Sequence, residues 1–200
     1  MGIPLEVILV FGGYLGGSVL AADLAFRFLK HKRAYEFGEK PSTRAVLHQI
    51  GFIPAALVLL YDVGKGFLPV WLAFHWKVDL NWLPAIAAAP VVAHNWPFLR
   101  WKYGGWGMAA TGGSLLALAW FETIIAFVIG FIPGAIFRGK PGLAIGIIAF
   151  PLMLVLLFYF QEPLQVILAA ALVMLITAIR RATGELDSPE LAFRKKLKKS

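Results

Sequence analysis

Long apolar runs that contain almost no charged residues make up most of this 200-residue chain and decide what it can fold into. Hydrophobic residues account for 60% of the sequence and charged residues for only 15%, and the mean hydropathy is +0.75. About a quarter of the residues in a soluble domain are charged, and they cover its surface. Because this chain lacks such a covering, we predict an integral membrane protein built from bilayer-spanning helices.

The apolar runs divide into predicted spans that are separated by polar, glycine-containing or proline-containing breaks. A stretch of about 20 apolar residues crosses the hydrocarbon core of a bilayer. The runs are 3–29, 52–76, 83–99, 108–136, 142–160 and 163–179. A straight helix over 108–136 would be about 43 Å long, against a core of about 30 Å, so this run is either one tilted span or two short ones.

The positions of lysine and arginine choose between these two possibilities. With seven spans, 17 of the 19 basic residues fall on one side of the membrane, and only Lys65 and Lys77 do not. Basic loops face the cytoplasm. We therefore predict an all-α membrane bundle of about seven helices, with the N-terminus outside, the C-terminus inside and a break near Ala119–Glu122. Residues 1–180 form one predicted transmembrane domain, and residues 181–200 form a basic cytoplasmic tail.

Composition also limits the chemistry. The chain has no cysteine, so it has neither a disulfide nor a thiolate, and its four histidines do not have metal-ligand spacing. We predict no metal and no cofactor. The net charge of +8 is explained by membrane orientation, so we predict no nucleic-acid partner. The Walker A motif, the Rossmann dinucleotide-binding fingerprint and the serine-triad motifs are absent from the sequence.

The strongest local signal is the run Tyr103-Gly104-Gly105-Trp106-Gly107, which precedes an apolar helix. Glycines allow a close backbone approach, and a helix N-terminus offers free N–H groups to an anion. The run is either a phosphate cradle or a tight turn between helices. His94 precedes it and is either a general base or an interfacial histidine.

Charged residues inside or beside the spans are the other candidates. Asp62 and Lys65 lie three residues apart on one predicted helix and form either a site wall or a buried pair that fixes packing. The predicted anion-binding residues share the cytoplasmic side of the seven-span arrangement. They are Lys40, Ser42, Arg44, His48, Lys102, Gly104, Gly105, Gly107 and Arg138.

Three segments carry a family resemblance: YLGGSV at 14–19, YDVGKGFLPVWLA at 61–73 and AHNWPFLRWKYGGWGMAAT at 93–111. In order and spacing they are similar to the motifs of the bacterial acyl-phosphate:glycerol-3-phosphate 1-acyltransferases, the PlsY family. The resemblance implies a protein with seven spans in a bacterial plasma membrane. It implies acyl transfer from acyl phosphate to the 1-hydroxyl of glycerol 3-phosphate, which gives lysophosphatidic acid, a step of phospholipid synthesis. It also implies His94 as a catalytic residue and no metal.

The chain departs from the family pattern at several polar positions. Tyr103 and Trp106 stand where the glycine motif of the family has lysines, and the segment 176–184 lacks the family's histidine and asparagine. Three hypotheses follow. The first is an acyltransferase that acts on glycerol 3-phosphate in the membrane. The second is a non-catalytic relative that binds lipid or partner proteins, and the third is a small transporter built around Asp62 and Lys65.

Overall fold

The computed structural model describes residues 2–37, 40–98, 104–136 and 145–184, and these residues contain helices and no strand. Short 3-10 turns cover Ala34–Phe37 and Leu80–Trp82, and a π-helical turn covers Ile145–Ala149. The helices are α1 (Leu5–Ser18), α2 (Ala21–Lys30), α3 (Thr43–Gln49), α4 (Phe52–His75), α5 (Leu83–Asn95), α6 (Met108–Leu118), α7 (Trp120–Ile136), α8 (Phe150–Tyr159) and α9 (Leu164–Gly184).

Three segments are long and apolar enough to cross a membrane: the 26-residue segment Leu5–Lys30, the 24-residue helix α4 and the 20 residues Leu164–Thr183 of α9. Shorter apolar helices lie at 108–118, 120–132 and 146–159. Large apolar side chains such as Phe11, Leu60 and Phe158 are exposed on the outer surface of this bundle. Such a surface is stable in lipid and not in water, so the protein is a multi-pass membrane protein.

The predicted first span is divided into two helices. α1 ends at Ser18 and α2 begins at Ala21, with Val19 and Leu20 between them. The Lys65 ammonium group on α4 donates a hydrogen bond of 3.0 Å to the carbonyl oxygen of Val19. The break leaves this carbonyl without a helical partner, and a cation is favourable at a helix C-terminus. This break was not predicted, because the residues on either side of it, Ser18-Val19-Leu20-Ala21, include neither glycine nor proline.

The predicted break in 108–136 is found where expected. α6 ends at Leu118 and α7 begins at Trp120, and the Thr123 hydroxyl donates to the carbonyl oxygen of Ala119 at 2.6 Å. α6 has 11 residues, which is about 16 Å of helix, and this is too short to cross the hydrocarbon core alone. The two halves therefore form two short helices and not one tilted helix.

Contacts between loops define the two ends of the bundle. Gln165 donates a hydrogen bond to Asn81 at 3.3 Å, and the rings of Phe121 and Phe160 lie 5.6 Å apart. The turn between α4 and α5, the α6–α7 break and the turn between α8 and α9 therefore share one end. At the other end, the segment that precedes α3 meets the loop that precedes α6.

Small residues set the distance between helices. A Cβ on Gly17 would lie 2.6 Å from the carbonyl oxygen of Pro90, so α1 packs directly on the backbone of α5. In the same way, a Cβ on Gly66 would overlap the carbonyl oxygen of Ala110, and a Cβ on Gly113 would overlap that of Val63. Close packing of this kind replaces the hydrophobic effect as the force that holds helices together in lipid.

We expect Gly66→Ala to destabilise the protein, because its methyl group has no room between α4 and α6. Overpacking of this kind costs about 1–3 kcal/mol. Gly64→Ala is the matched control on the same helix, because no atom lies within 4 Å of its added Cβ. The measurement is the melting temperature in detergent. Equal melting temperatures for the two variants would refute the direct contact between α4 and α6.

Candidate active site

The loop Gly104–Gly107, called the glycine loop below, lies across the C-terminal end of α5. The N–H of Gly105 donates a hydrogen bond of 3.0 Å to the carbonyl oxygen of His94. A Cβ on Gly104 would overlap the carbonyl oxygen of Asn95, and a Cβ on Gly105 would overlap the Nε2 atom of the His94 ring. No other residue type fits at these two positions while the loop keeps this path.

Gly107 ends the loop and begins the next helix. Its φ of +72° belongs to the left-handed region, which glycine enters without strain. Gly107 is the N-cap residue of α6, and its carbonyl oxygen accepts the N–H of Thr111 at 2.8 Å. The N-terminus of α6, with its partial positive charge, therefore opens directly at the glycine loop.

His94 lies between a carboxylate and the glycine loop. Its side chain is buried, and its Nδ1 atom lies 3.7 Å from Oδ1 of Asp62. Its other ring nitrogen, Nε2, faces Gly105. A carboxylate on the Nδ1 side favours the tautomer that carries its hydrogen on Nδ1, which leaves Nε2 as a proton acceptor at the loop.

Asp62 and Lys65 form an ion pair of 2.7 Å whose side chains are 5% and 4% exposed. Lys65 also donates to Val19 in the break between α1 and α2. Charges at this depth of a membrane bundle are costly unless they are paired. The pair therefore serves two purposes: it fixes the broken first span against α4, and it supplies the carboxylate that faces His94.

Arg180 reaches the glycine loop from α9. Its Nε atom donates a hydrogen bond of 3.2 Å to the carbonyl oxygen of Gly105, and one of its terminal nitrogens donates a bond of 3.2 Å to that of Gly104. The guanidinium carbon also lies 5.6 Å from the centre of the Trp96 ring. The residue is only 3% exposed. α9 thus brings a buried positive charge to the loop that joins α5 to α6.

Two cations from distant parts of the sequence lie close to the Trp106 ring. The Lys40 ammonium group lies 4.0 Å from the centre of the indole ring, and the guanidinium carbon of Arg181 lies 5.5 Å from it. The indole face attracts cations, and this attraction is stronger where water is excluded. Trp106 therefore brings positive charge from the segment before α3 and from the end of α9 to the glycine loop.

Asn95 is fully buried beside Gly107, and among the residues that the structure describes neither its amide nitrogen nor its amide oxygen has a hydrogen-bond partner. The same holds for the Nδ1 atom of the neighbouring His94. Unpaired buried polar groups are rare and each costs about 1–3 kcal/mol. Their concentration here is typical of a functional site, where a bound molecule or water completes the hydrogen bonding.

The predicted residues divide into three groups. His94, Lys40, Gly104, Gly105 and Gly107 meet at the end of α5, and Asp62 with Lys65 supports them. Ser42 caps α3 by accepting the N–H of Ala45 at 3.2 Å. Arg44 and His48 are exposed on α3, and within the described residues no hydrogen bond or ion pair links them to the glycine loop. Lys102 and Arg138 lie outside the described residues.

Sequence reasoning missed Arg180, Arg181 and Asn95. The predicted last span ended at residue 179, whereas α9 continues to Gly184 and carries both arginines into the site. Arg180 lies on the buried face of α9, because Val173, Thr177 and Arg180 follow each other at helical spacing and all three are buried. The hydroxyl of Thr177 hydrogen bonds with that of Thr111 on α6, which holds this face against the start of α6.

The fold and this site together define a class: a multi-pass helical membrane protein with a cationic, glycine-lined site beside a buried histidine. The profile of the family described as glycerol-3-phosphate acyltransferase matches residues 7–185. The chain belongs to this family.

Relatives named glycerol-3-phosphate acyltransferase agree with this assignment. The protein from Proteus mirabilis (strain HI4320) is 35% identical over 113 residues, which cover 56% of this chain and 52% of that protein. The protein from Gloeobacter violaceus (strain ATCC 29082 / PCC 7421) is 40% identical over 126 residues, which cover 60% of this chain and 61% of that protein. The matched region thus spans about half to two thirds of the length of these relatives.

Two crystal structures of PlsY, described as an integral membrane glycerol 3-phosphate acyltransferase, have the same fold. The glycerol 3-phosphate form superimposes with a TM-score of 0.79 at 22% identity, over 90% of this chain and 89% of that one. The lysophosphatidic acid form gives a TM-score of 0.77 at 20% identity, over 88% of each chain. The resemblance found in the sequence is therefore confirmed at the level of family and fold.

We expect Lys65→Met to destabilise the protein by about 3–5 kcal/mol, because it leaves the Asp62 carboxylate buried without its partner. The double variant Asp62→Asn/Lys65→Met should recover most of this loss. The control is Arg27→Met, whose ion pair with Asp23 has a side-chain exposure of 34% on the arginine and should contribute about 1 kcal/mol or less. Melting in detergent measures all four proteins. A double variant that is no more stable than Lys65→Met would contradict a coupled buried pair.

Proposed function

We propose that this protein transfers an acyl group from acyl phosphate to the 1-hydroxyl of glycerol 3-phosphate, and so forms lysophosphatidic acid and inorganic phosphate. Membership of the family supports the reaction. The observation that carries the proposal is the meeting of His94 Nε2 with the glycine loop, where Lys40 and Arg181 supply positive charge. Both substrates are phosphate esters or anhydrides, so a cationic site is what their chemistry requires.

In this proposal the phosphate groups bind at the glycine loop. Lys40 and Arg181 provide positive charge beside Trp106, and the N-terminus of α6 provides a further partial charge. The proposed phosphate-binding residues are those predicted from the sequence together with Arg181. The residues predicted from the sequence are Lys40, Ser42, Arg44, His48, Lys102, Gly104, Gly105, Gly107 and Arg138. No metal takes part in the proposed reaction.

His94 acts on the acceptor hydroxyl. The hydroxyl oxygen attacks the carbonyl carbon of the acyl phosphate, and the bond between that carbon and the bridging phosphate oxygen breaks. Nε2 of His94 accepts the hydroxyl proton and returns it to the departing phosphate. Asp62 holds the ring in the tautomer that leaves Nε2 free and stabilises the ring while it carries the proton. Positioning of two anionic substrates supplies the remaining rate enhancement.

The site also supports a topology. We propose seven spans with the N-terminus outside and the C-terminus in the cytoplasm of a bacterial cell, in the plasma membrane. The glycine loop, the segment before α3 and the end of α9 then share the cytoplasmic side, where both phosphorylated substrates are made available. Residues 1–184 form one transmembrane domain in this proposal, four residues longer than the sequence predicts because α9 continues to Gly184. A basic cytoplasmic tail follows, and acyl phosphate and membrane lipid are the partners.

We expect the purified protein to release inorganic phosphate and to form lysophosphatidic acid when it is given acyl phosphate and glycerol 3-phosphate. His94→Gln should lower kcat by about 100-fold or more, because general base catalysis contributes about 10²–10⁴ in rate. His75→Gln is the matched control, since His75 is exposed and stacks on Trp71 at the opposite end of α4. Phosphate release and mass spectrometry of the lipid product measure the reaction. A folded wild-type protein without turnover would refute the proposal and favour the non-catalytic relative.

A further inference from the structure

Arg180 is buried beside the glycine loop, and both of its hydrogen bonds given above go to neutral backbone oxygens of that loop. An arginine within a transmembrane bundle is costly and usually marks a functional site. The geometry of these two hydrogen bonds indicates what Arg180 does there.

Two consecutive carbonyl groups, those of Gly104 and Gly105, point toward one guanidinium group. In a planar trans peptide the N–H points away from the carbonyl. The N–H of Gly105, which belongs to the peptide of the Gly104 carbonyl, accordingly points to the opposite side and donates to His94. The N–H of Trp106 belongs to the peptide of the Gly105 carbonyl. It must therefore also point away from Arg180, toward the side of the loop where His94 lies.

Within the described residues, the N–H of Trp106 has no hydrogen-bond acceptor. It lies one residue from Gly105, whose Cα faces Nε2 of His94. A backbone donor beside a general base is the arrangement that stabilises negative charge on a carbonyl oxygen during acyl transfer. Such a donor is effective only when the loop holds it in one orientation. If the N–H had to reorient during the reaction, part of its stabilisation of the oxygen's negative charge would be lost.

We propose that Arg180 is a positioning residue that locks the glycine loop, so that the Trp106 N–H donates to the carbonyl oxygen of the acyl group while the acceptor hydroxyl attacks. This inference rests on the proposed acyl transfer. The fork of the guanidinium group suits the task, because it holds two oxygens in a fixed geometry whereas a lysine ammonium group does not.

The test compares Arg180→Met, which removes the donors, with Arg180→Lys, which keeps the charge but not the fork. Lys30→Met is the control, because Lys30 is exposed at the end of α2. We expect kcat to fall about 100-fold in Arg180→Met, as it does when one oxyanion donor is lost, with both KM values changed by less than about threefold. Arg180→Lys should lie between Arg180→Met and the wild type.

Hydrogen exchange gives a second measurement that does not depend on turnover. Amide exchange in peptides that contain 104–107 should become faster in Arg180→Met and Arg180→Lys, whereas exchange in α4 should not change. If Arg180→Met does not fold, Arg180→Lys still decides the question. A variant kcat within about threefold of the control, or unchanged exchange in the loop, would overturn the inference. Absence of turnover in the wild type would instead refute the proposed function, and the exchange measurement alone would then test the locking of the loop.

Discussion

The contact between the glycine loop and the end of α5 determines the rest of the site. The loop passes so close to His94 and Asn95 that a methyl group at Gly104, Gly105 or Gly107 would overlap their atoms. This close approach brings the end of α5 and the start of α6 to one point, and Arg180 adds the end of α9 to it. The ends of these three helices and Lys40, from the segment before α3, therefore meet at the glycine loop.

The membrane explains why the supporting charges are arranged as they are. Asp62 and Lys65 are almost completely buried, and an isolated charge at that depth would not be tolerated. In this pair the Asp62 carboxylate lies 3.7 Å from His94, and the Lys65 ammonium group donates a hydrogen bond to the carbonyl oxygen of Val19. A single ion pair therefore links the backbone break of the first span to the orientation of the proposed base. The same two side chains thus hold the break in place and, in the proposed mechanism, orient the base.

Hydropathy and charge distribution predicted much of the fold, because lipid restricts the chain to helices of defined length. The runs 52–76 and 163–179 correspond to α4 and α9, and the break in 108–136 lies where the charges indicated. The break at Val19–Leu20 was not predictable from local sequence, since it depends on Lys65, a residue of another helix. α3 was missed because its seven residues lie in a polar segment that reads as a loop.

The part of the site that local sequence motifs determine was predicted, and the part that contacts between distant segments determine was not. His94 and the three glycines follow from local motifs, and Lys40 follows from the basic loop. Arg180 and Arg181 were assigned to the end of the last span and the tail, since a sequence does not reveal that α9 continues past residue 179 and packs against the glycine loop. Asn95 belongs to no sequence motif that we recognised. It is distinguished only by its burial without a hydrogen-bond partner among the described residues.

The central claim is that the missing side chain at Gly105 gives Nε2 of His94 its place in the site. The most direct measurement is the turnover of Gly105→Ala against Gly12→Ala, a control on α1 with open space around the added methyl group. We predict that Gly105→Ala melts at a lower temperature than the wild type, because its methyl group displaces the buried His94 ring, and that its folded fraction loses about 100-fold or more in turnover, the order of loss that a misplacement of about 1 Å produces. Turnover of Gly105→Ala equal to that of Gly12→Ala would contradict the account.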